Sequence, residues 1–177
     1  MVTQKNFTSF IFFFFAAMLV SCATAPEKSK MVPYIDYSTF VSSSRTLTIK
    51  EVKGGEETGW DTPRIDNKDF KEALIAALKK SGLFKEIFTE NAGDYELYAT
   101  IISQKVVPGI SAYTALLVHY RMVDTKTNQD ILTENIFSQI NAFGENLGKD
   151  AIEAAARDNL AQLIRKLNEL FTKQEKK

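Results

Sequence analysis

Few side chains in this sequence are of types and spacings that suggest catalysis. His119 is the only histidine, and Arg121 shares its face two residues on. As a catalytic group it would be a general base. No nucleophile motif accompanies it, so a surface or half-buried strand histidine is the plainer account. One histidine and one cysteine, Cys22, are too few for a Cys/His zinc site. Four carboxylates, Glu56, Glu57, Asp61 and Asp66, fall in or near the glycine-rich run from Gly54 to Pro63. Paired carboxylates can hydrolyse glycosides or hold calcium. This spacing matches neither a calcium-binding EF-hand loop nor a recognisable acid/base motif, and a solvated polar loop accounts for it. Gly54-Gly55 lacks the Gly-Lys-Ser/Thr ending of a phosphate-binding loop. The chain is therefore expected not to be an enzyme and to carry no metal or cofactor.

Binding is the better-supported alternative. Trp60, the single tryptophan, lies between Gly59 and Asp61 in a long loop. Tryptophan is enriched where interfaces concentrate their energy, although a lone aromatic can equally fold back to cover a sheet edge. A partner-contacting surface is expected around Trp60 and Asp61 and around the polar turn Asp124–Gln129, through Lys126 and Asn128. The sheet also has a second face that is partly apolar, through Tyr98, Thr100 and Ile102 on one strand and Leu117 and Val123 on the next. Either residues 31–44 cover that face, the reading preferred here, or it docks a protein or lipid.

The elements that hold these groups follow from periodicity. Thr46–Val52 alternates and predicts a strand. Asp66 or Asn67 can cap a helix whose apolar face is Phe70, Ala73, Leu74, Ala77 and Leu78, with Gly82 as its stop and Leu83-Phe84 folding back as a hydrophobic contact. Strands are predicted from Tyr95 to near Pro108, from Tyr113 to Val123, and from about Asp130 to Ile140, the last two forming a hairpin. A final helix runs from about Lys149 to Phe171, striped by Ile152, Ala156, Leu160, Leu163, Leu167 and Leu170. That stripe reads as core rather than as a partner-binding face. The expectation is one α+β domain over 46–172. Its order is β-α-β-β-β-α, a mostly antiparallel four-stranded sheet with both helices on one face. A charged tail, 173–177, follows.

The start of the chain reads as an address. Lys5 is the only charge before Cys22, and Phe10–Val20 is an uncharged apolar run of 11 residues. That length fits the core of a secretory signal and is too short for the roughly 20 residues of a spanning helix. Leu19-Val20-Ser21-Cys22 resembles the lipobox of bacterial lipoproteins. The resemblance implies cleavage after residue 21, acylation of Cys22, and anchoring of the protein to a membrane by lipid. Ala23 in place of an Asp favours the inner leaflet of the outer membrane, facing the periplasm. Residues 22–45, with Pro26, Pro33 and Ser42-Ser43-Ser44, read as a tether that lets the domain stand off the membrane. Tyr34, Ile35, Tyr37, Phe40 and Val41 are too apolar for a pure linker, so part of it is expected to lie along the domain.

Removing residues 1–21 leaves 156 residues with 21 basic and 22 acidic side chains. No basic excess points to nucleic acid. With Cys22 as the single cysteine, no internal disulfide can form. Over most of this remainder the order of elements resembles that of small envelope lipoproteins. These are the YajG-like lipoproteins, the lipopolysaccharide-assembly lipoprotein that plugs an outer-membrane barrel, and the activator lipoproteins of peptidoglycan synthases. The resemblance lies in topology and implies a non-catalytic accessory or scaffold that binds another envelope component. An auxiliary lipoprotein handling lipid for an envelope transport system is the alternative, and a carboxylate-based cell-wall enzyme ranks last.

Overall fold

A computed structural model of the chain describes residues 24–59, 62–107, 111–143 and 147–175. The elements are α1 (Lys28–Met31), β1 (Ser43–Lys53), α2 (Asn67–Ser81), β2 (Phe84–Phe88), β3 (Tyr95–Val107), β4 (Ser111–Asp124), β5 (Gln129–Phe143) and α3 (Leu147–Glu175). They form one α+β domain around a single core.

The capping chemistry of α2 is as the sequence predicts. The Asp66 side chain accepts the Asp69 N–H at 2.7 Å. Gly82 ends the helix in the left-handed region at φ 66°, its N–H donating to Lys79 O. The sheet differs from expectation. It has five strands in the order β2-β1-β3-β4-β5. β1 is parallel to both of its neighbours, and only the β3–β4 and β4–β5 pairs are antiparallel. The sheet is thus mixed rather than mostly antiparallel. The missed strand, Phe84–Phe88, has five residues, and its first apolar residue directly follows the helix stop. Leu83-Phe84 therefore looks like a helix-terminal contact, whereas Phe84 begins a strand that α2 returns parallel to β1.

The second parallel pairing has a local cause. Ile87 and Tyr95 both stand beside Leu47, so β2 ends where β3 begins, on opposite sides of β1. The connecting residues 89–94 must cross β1. They do so on the face turned away from the helices, where Thr48 Oγ1 donates to Asn91 O at 2.7 Å and accepts the Gly93 N–H at 2.7 Å. A Cβ on Gly93 would sit 3.0 Å from the β1 backbone, so the crossing is close enough to favour glycine. Asp94 completes it, accepting from Thr46 N–H at 2.9 Å and Thr46 Oγ1–H at 3.0 Å.

Both long helices pack on the other face. Leu47, Ile49, Leu97, Leu116, Val118, Tyr120 and Met122 from the strands meet Phe70, Leu74 and Leu78 of α2 and Leu160, Leu163, Ile164 and Leu167 of α3. One polar chain crosses this core. Tyr120 Oη–H donates to Asn159 Oδ1 at 2.7 Å, and Asn159 Nδ2–H donates to Ile136 O at 2.8 Å. Residues 31–44 do not cover the second face of the sheet. Residues 31–42 lie across the helices, with Met31 fully buried and Ile35, Tyr37 and Phe40 packed against the core, and Ser43 and Ser44 open β1. The short α1 touches both α2 and α3, and Met31 is buried in the apolar groove between them.

Two outcomes follow. Hydrogen bonds from Thr46 hold the Asp94 carboxyl down to about 2 from an ordinary value of 3.8. Its contribution is therefore full above about pH 4 and is lost as pH falls toward 2. Asp94→Asn should cost on the order of 1–2 kcal/mol at neutral pH and flatten the acid limb of stability, read by urea unfolding across pH 2–6. Asn159→Leu, which strands the Tyr120 hydroxyl in the core, should cost about 2–3 kcal/mol by the same assay.

Candidate functional site

The loops and faces that sequence singles out fare differently. Gly54 and Gly55 have packing reasons. Gly54 adopts φ 78°, and a Cβ there would meet the Ile101 carbonyl oxygen at 2.0 Å. Gly55 N–H donates to Asn67 Oδ1 at 2.7 Å. Of the loop carboxylates, Glu56 pairs with Arg64 at 3.2 Å and Asp66 is spent as the α2 cap. Glu57 is exposed, and Asp61 lies outside the described residues together with Trp60 and Cys22. Gln104 fastens the loop to β3, its amide taking Ile65 N–H at 2.9 Å and giving to Ile65 O at 3.1 Å.

Lys126 and Asn128 sit in the β4–β5 turn. Lys126 Nζ lies 3.4 Å from Asp94 Oδ1. Its backbone N–H and that of Thr127 both donate to Asp124 Oδ1, at 2.9 and 3.0 Å, which lowers the Asp124 pKa. Asn128 takes φ 54° and donates its N–H to Asp124 O at 2.8 Å. These contacts build the turn, and an asparagine is among the few residues that tolerate that backbone.

Among the described residues nothing covers the second face of the sheet over β3, β4 and β5, and its two halves differ. Near the turn it is ionic. Lys50 pairs with Glu96 at 2.9 Å, Tyr98 Oη–H donates to Glu96 Oε2 at 2.6 Å, and Arg121 pairs with Asp130 at 2.8 Å while lying over the Tyr98 ring. The tyrosine and lysine hydrogen bonds lower the Glu96 pKa, and the Asp130 bond raises that of Arg121. His119 comes next, its Nδ1 2.8 Å from Asn135 Oδ1, an amide rather than a nucleophile or carboxylate.

Beyond that row the face is apolar. Leu117 stands opposite Phe137 on β5 and Ser103 on β3, where a bulge adds Ile102 alongside. Ile102 and Phe137 are each 52% exposed and Val107 is 41% exposed. Tyr113, Ala115, Gln139 and Asn141 surround them, and among the described residues Lys105 is the one charge within this half. Sequence pointed to Ile102 and Leu117 but not to Phe137, whose strand reads as unremarkable outside its pairing. Among the described residues no three His, Cys, Asp or Glu side chains come together as a metal site. Among the same residues no helix is long and apolar enough to cross a membrane.

No protein-family model matches the chain, and no curated protein does. Solved structures do. A Xanthomonas campestris protein of the DUF330 family is 9% identical with a TM-score of 0.66, over 87% of this chain and 99% of that one. A hypothetical protein from Chlamydia trachomatis is 12% identical with a TM-score of 0.55, over 71% and 98%. The PelC dodecamer from Paraburkholderia phytofirmans is 9% identical with a TM-score of 0.54, over 72% and 90%. These chains share the fold.

The turn offers a separation of roles. Asn128→Gly should leave stability within about 0.5 kcal/mol, whereas Asn128→Val should cost 1 kcal/mol or more through its left-handed backbone. Thermal unfolding checks both.

Proposed function

We propose that the chain is a lipid-anchored lipoprotein of the bacterial cell envelope, acting without catalysis by docking another envelope protein on the open face of its sheet. The observation that carries this reading is the apolar band Ile102–Leu117–Phe137. It is uncovered although the same chain has an apolar N-terminal segment that packs elsewhere. Sheets with one solvated face normally show polar side chains there, and contiguous exposed apolar surface marks interaction sites. The lipobox-like Leu19–Cys22 supplies the anchor, and the small envelope lipoproteins that the chain resembles in topology supply the class of role. Anchoring confines the search for a partner to the membrane and raises effective concentration there.

The ionic half of the face then orients the partner and the apolar half binds it. Rim charges steer encounter, and buried apolar anchors hold the complex. Lys126 and Asn128, in the β4–β5 turn, remain as flanking contacts in this scheme, and Trp60 and Asp61 as further candidate contacts. The test is in-cell photocrosslinking from position 137, with positions 60 and 126 in parallel. One discrete envelope protein captured at 137, and lost in an Ile102→Asp variant that unfolds at the unchanged temperature, is expected. Capture confined to 60 or 126 would move the surface to the loops. Turnover of a cell-wall glycan abolished by Glu57→Gln would sink the non-catalytic reading.

A further inference from the structure

The N-terminal segment is not a free spacer. Pro26 is buried. Glu27 N–H donates to Glu153 Oε1 at 2.6 Å, and Lys149 pairs with the Glu27 carboxylate at 2.6 Å. Met31 is fully buried between the helices, Arg157 donates to Lys30 O at 3.0 Å, and Lys80 donates to Pro33 O at 3.2 Å. Val41 N–H reaches Asn168 Oδ1 at 2.9 Å. The segment is a strap laid over the outer side of the helix layer.

Cys22 precedes Pro26 by four residues, a fully extended reach of about 14 Å. An anchor at Cys22 therefore holds the strap side of the domain close to the bilayer surface, about one or two screening lengths away. The side chains on that face suit such a position. Tyr34 is 73% exposed and bridges the two helices, with Lys80 Nζ 5.0 Å and Arg157 Cζ 5.7 Å from its ring. Neither cation is within ion-pair distance of a carboxylate among the described residues. Beside the ring opens a cleft of about 440 Å³ lined by Val32, Ala73, Ala76, Lys80 and the Lys28–Glu72 ion pair. An exposed tyrosine flanked by basic side chains is the pattern that settles at a membrane–water interface.

We propose that this strap face docks on the anionic lipid surface that carries the anchor, with Lys80 and Arg157 taking headgroup phosphates on either side of Tyr34. The inference rests on the lipoprotein reading of Cys22. Its consequence is orientation. The layers run strap, helices, sheet, so the open sheet face is turned away from the bilayer, toward a partner.

The test uses the full acylated chain in vesicles of phosphatidylethanolamine and phosphatidylglycerol, with a photoreactive phenylalanine at position 34 or 137. Phospholipid adducts are expected at 34 and not at 137. In a Lys80→Glu/Arg157→Glu variant the yield at 34 should fall about fivefold or more. The same direction of change, without any variant, is expected when phosphatidylcholine replaces phosphatidylglycerol. Equal lipid yields at 34 and 137, protein adducts in place of lipid at 34, or a yield indifferent to both charge changes overturns the docking. Intact mass of the same sample reports Cys22. Acylated Cys22 without lipid adducts at 34 defeats the docking alone, whereas unmodified Cys22 defeats the lipoprotein reading and the docking with it.

Discussion

The placement of α3 depends on one buried polar chain, Tyr120 to Asn159 to the Ile136 carbonyl. Apolar packing alone would let a helix striped with leucine and alanine slide along or roll over the sheet. A donor–acceptor chain in the core is satisfied in one arrangement only, because an unpaired hydroxyl or amide there costs far more than a paired one gains. With α3 fixed across β4 and β5, α2 beside it leaves a groove of set width. The strap fits that groove, and everything on the outer side of the helix layer follows from it.

The same helix guards the sheet's free edge. β5 is 15 residues long and its outer side has no strand partner among the described residues. Such edges invite pairing with other chains. Asn159 gives a hydrogen bond to Ile136 O, and Gln162 gives one to Phe137 O at 3.2 Å. Consecutive carbonyls of a strand point to opposite sides, so one of these two acceptors lies on the outer edge and is engaged by an α3 side chain. Association through the side chains of the open face remains available beside it. Phe137 stands where both effects meet, its carbonyl engaged from the helix side and its ring presented to solvent on the open side.

How much was legible depended on whether the determinants were local. The limits of α2 are written in Asp66 and Gly82, each acting within one helical turn, and the β4–β5 hairpin is written in its polar turn. β2 escaped because five residues, Phe-Lys-Glu-Ile-Phe, carry too little alternation to stand apart from a helix end. Its pairing with β1 is settled by the crossover and by Thr48 reaching Asn91 and Gly93, more than 40 positions away. The destination of the strap was equally invisible. Its apolar residues announced that it packs, but the sequence offered two apolar surfaces, and only the depth of the groove between α2 and α3 decides for the helices. For the site, Ile102 and Leu117 stood out as apolar on the wrong face. Phe137 joined them only through the register, which sets it beside Leu117.

Glu153 shows why the strap is more than a patch of grease. Its side chain is only 2% exposed, yet it is a carboxylate, met by the Glu27 N–H and flanked by Lys149 at 3.8 Å and Lys30 at 4.0 Å. A buried ion pair adds little net stability over an apolar contact of the same shape. What it adds is direction, since the anion is satisfied only when Glu27 lies at that spot. Met31 then falls into the groove four residues on, and Tyr34 lands between Lys80 and Arg157. One charge near the start of α3 thereby fixes where the chain leaves the domain. Because that exit is on the helix side, the uncovered half of the sheet is held on the opposite side of the molecule.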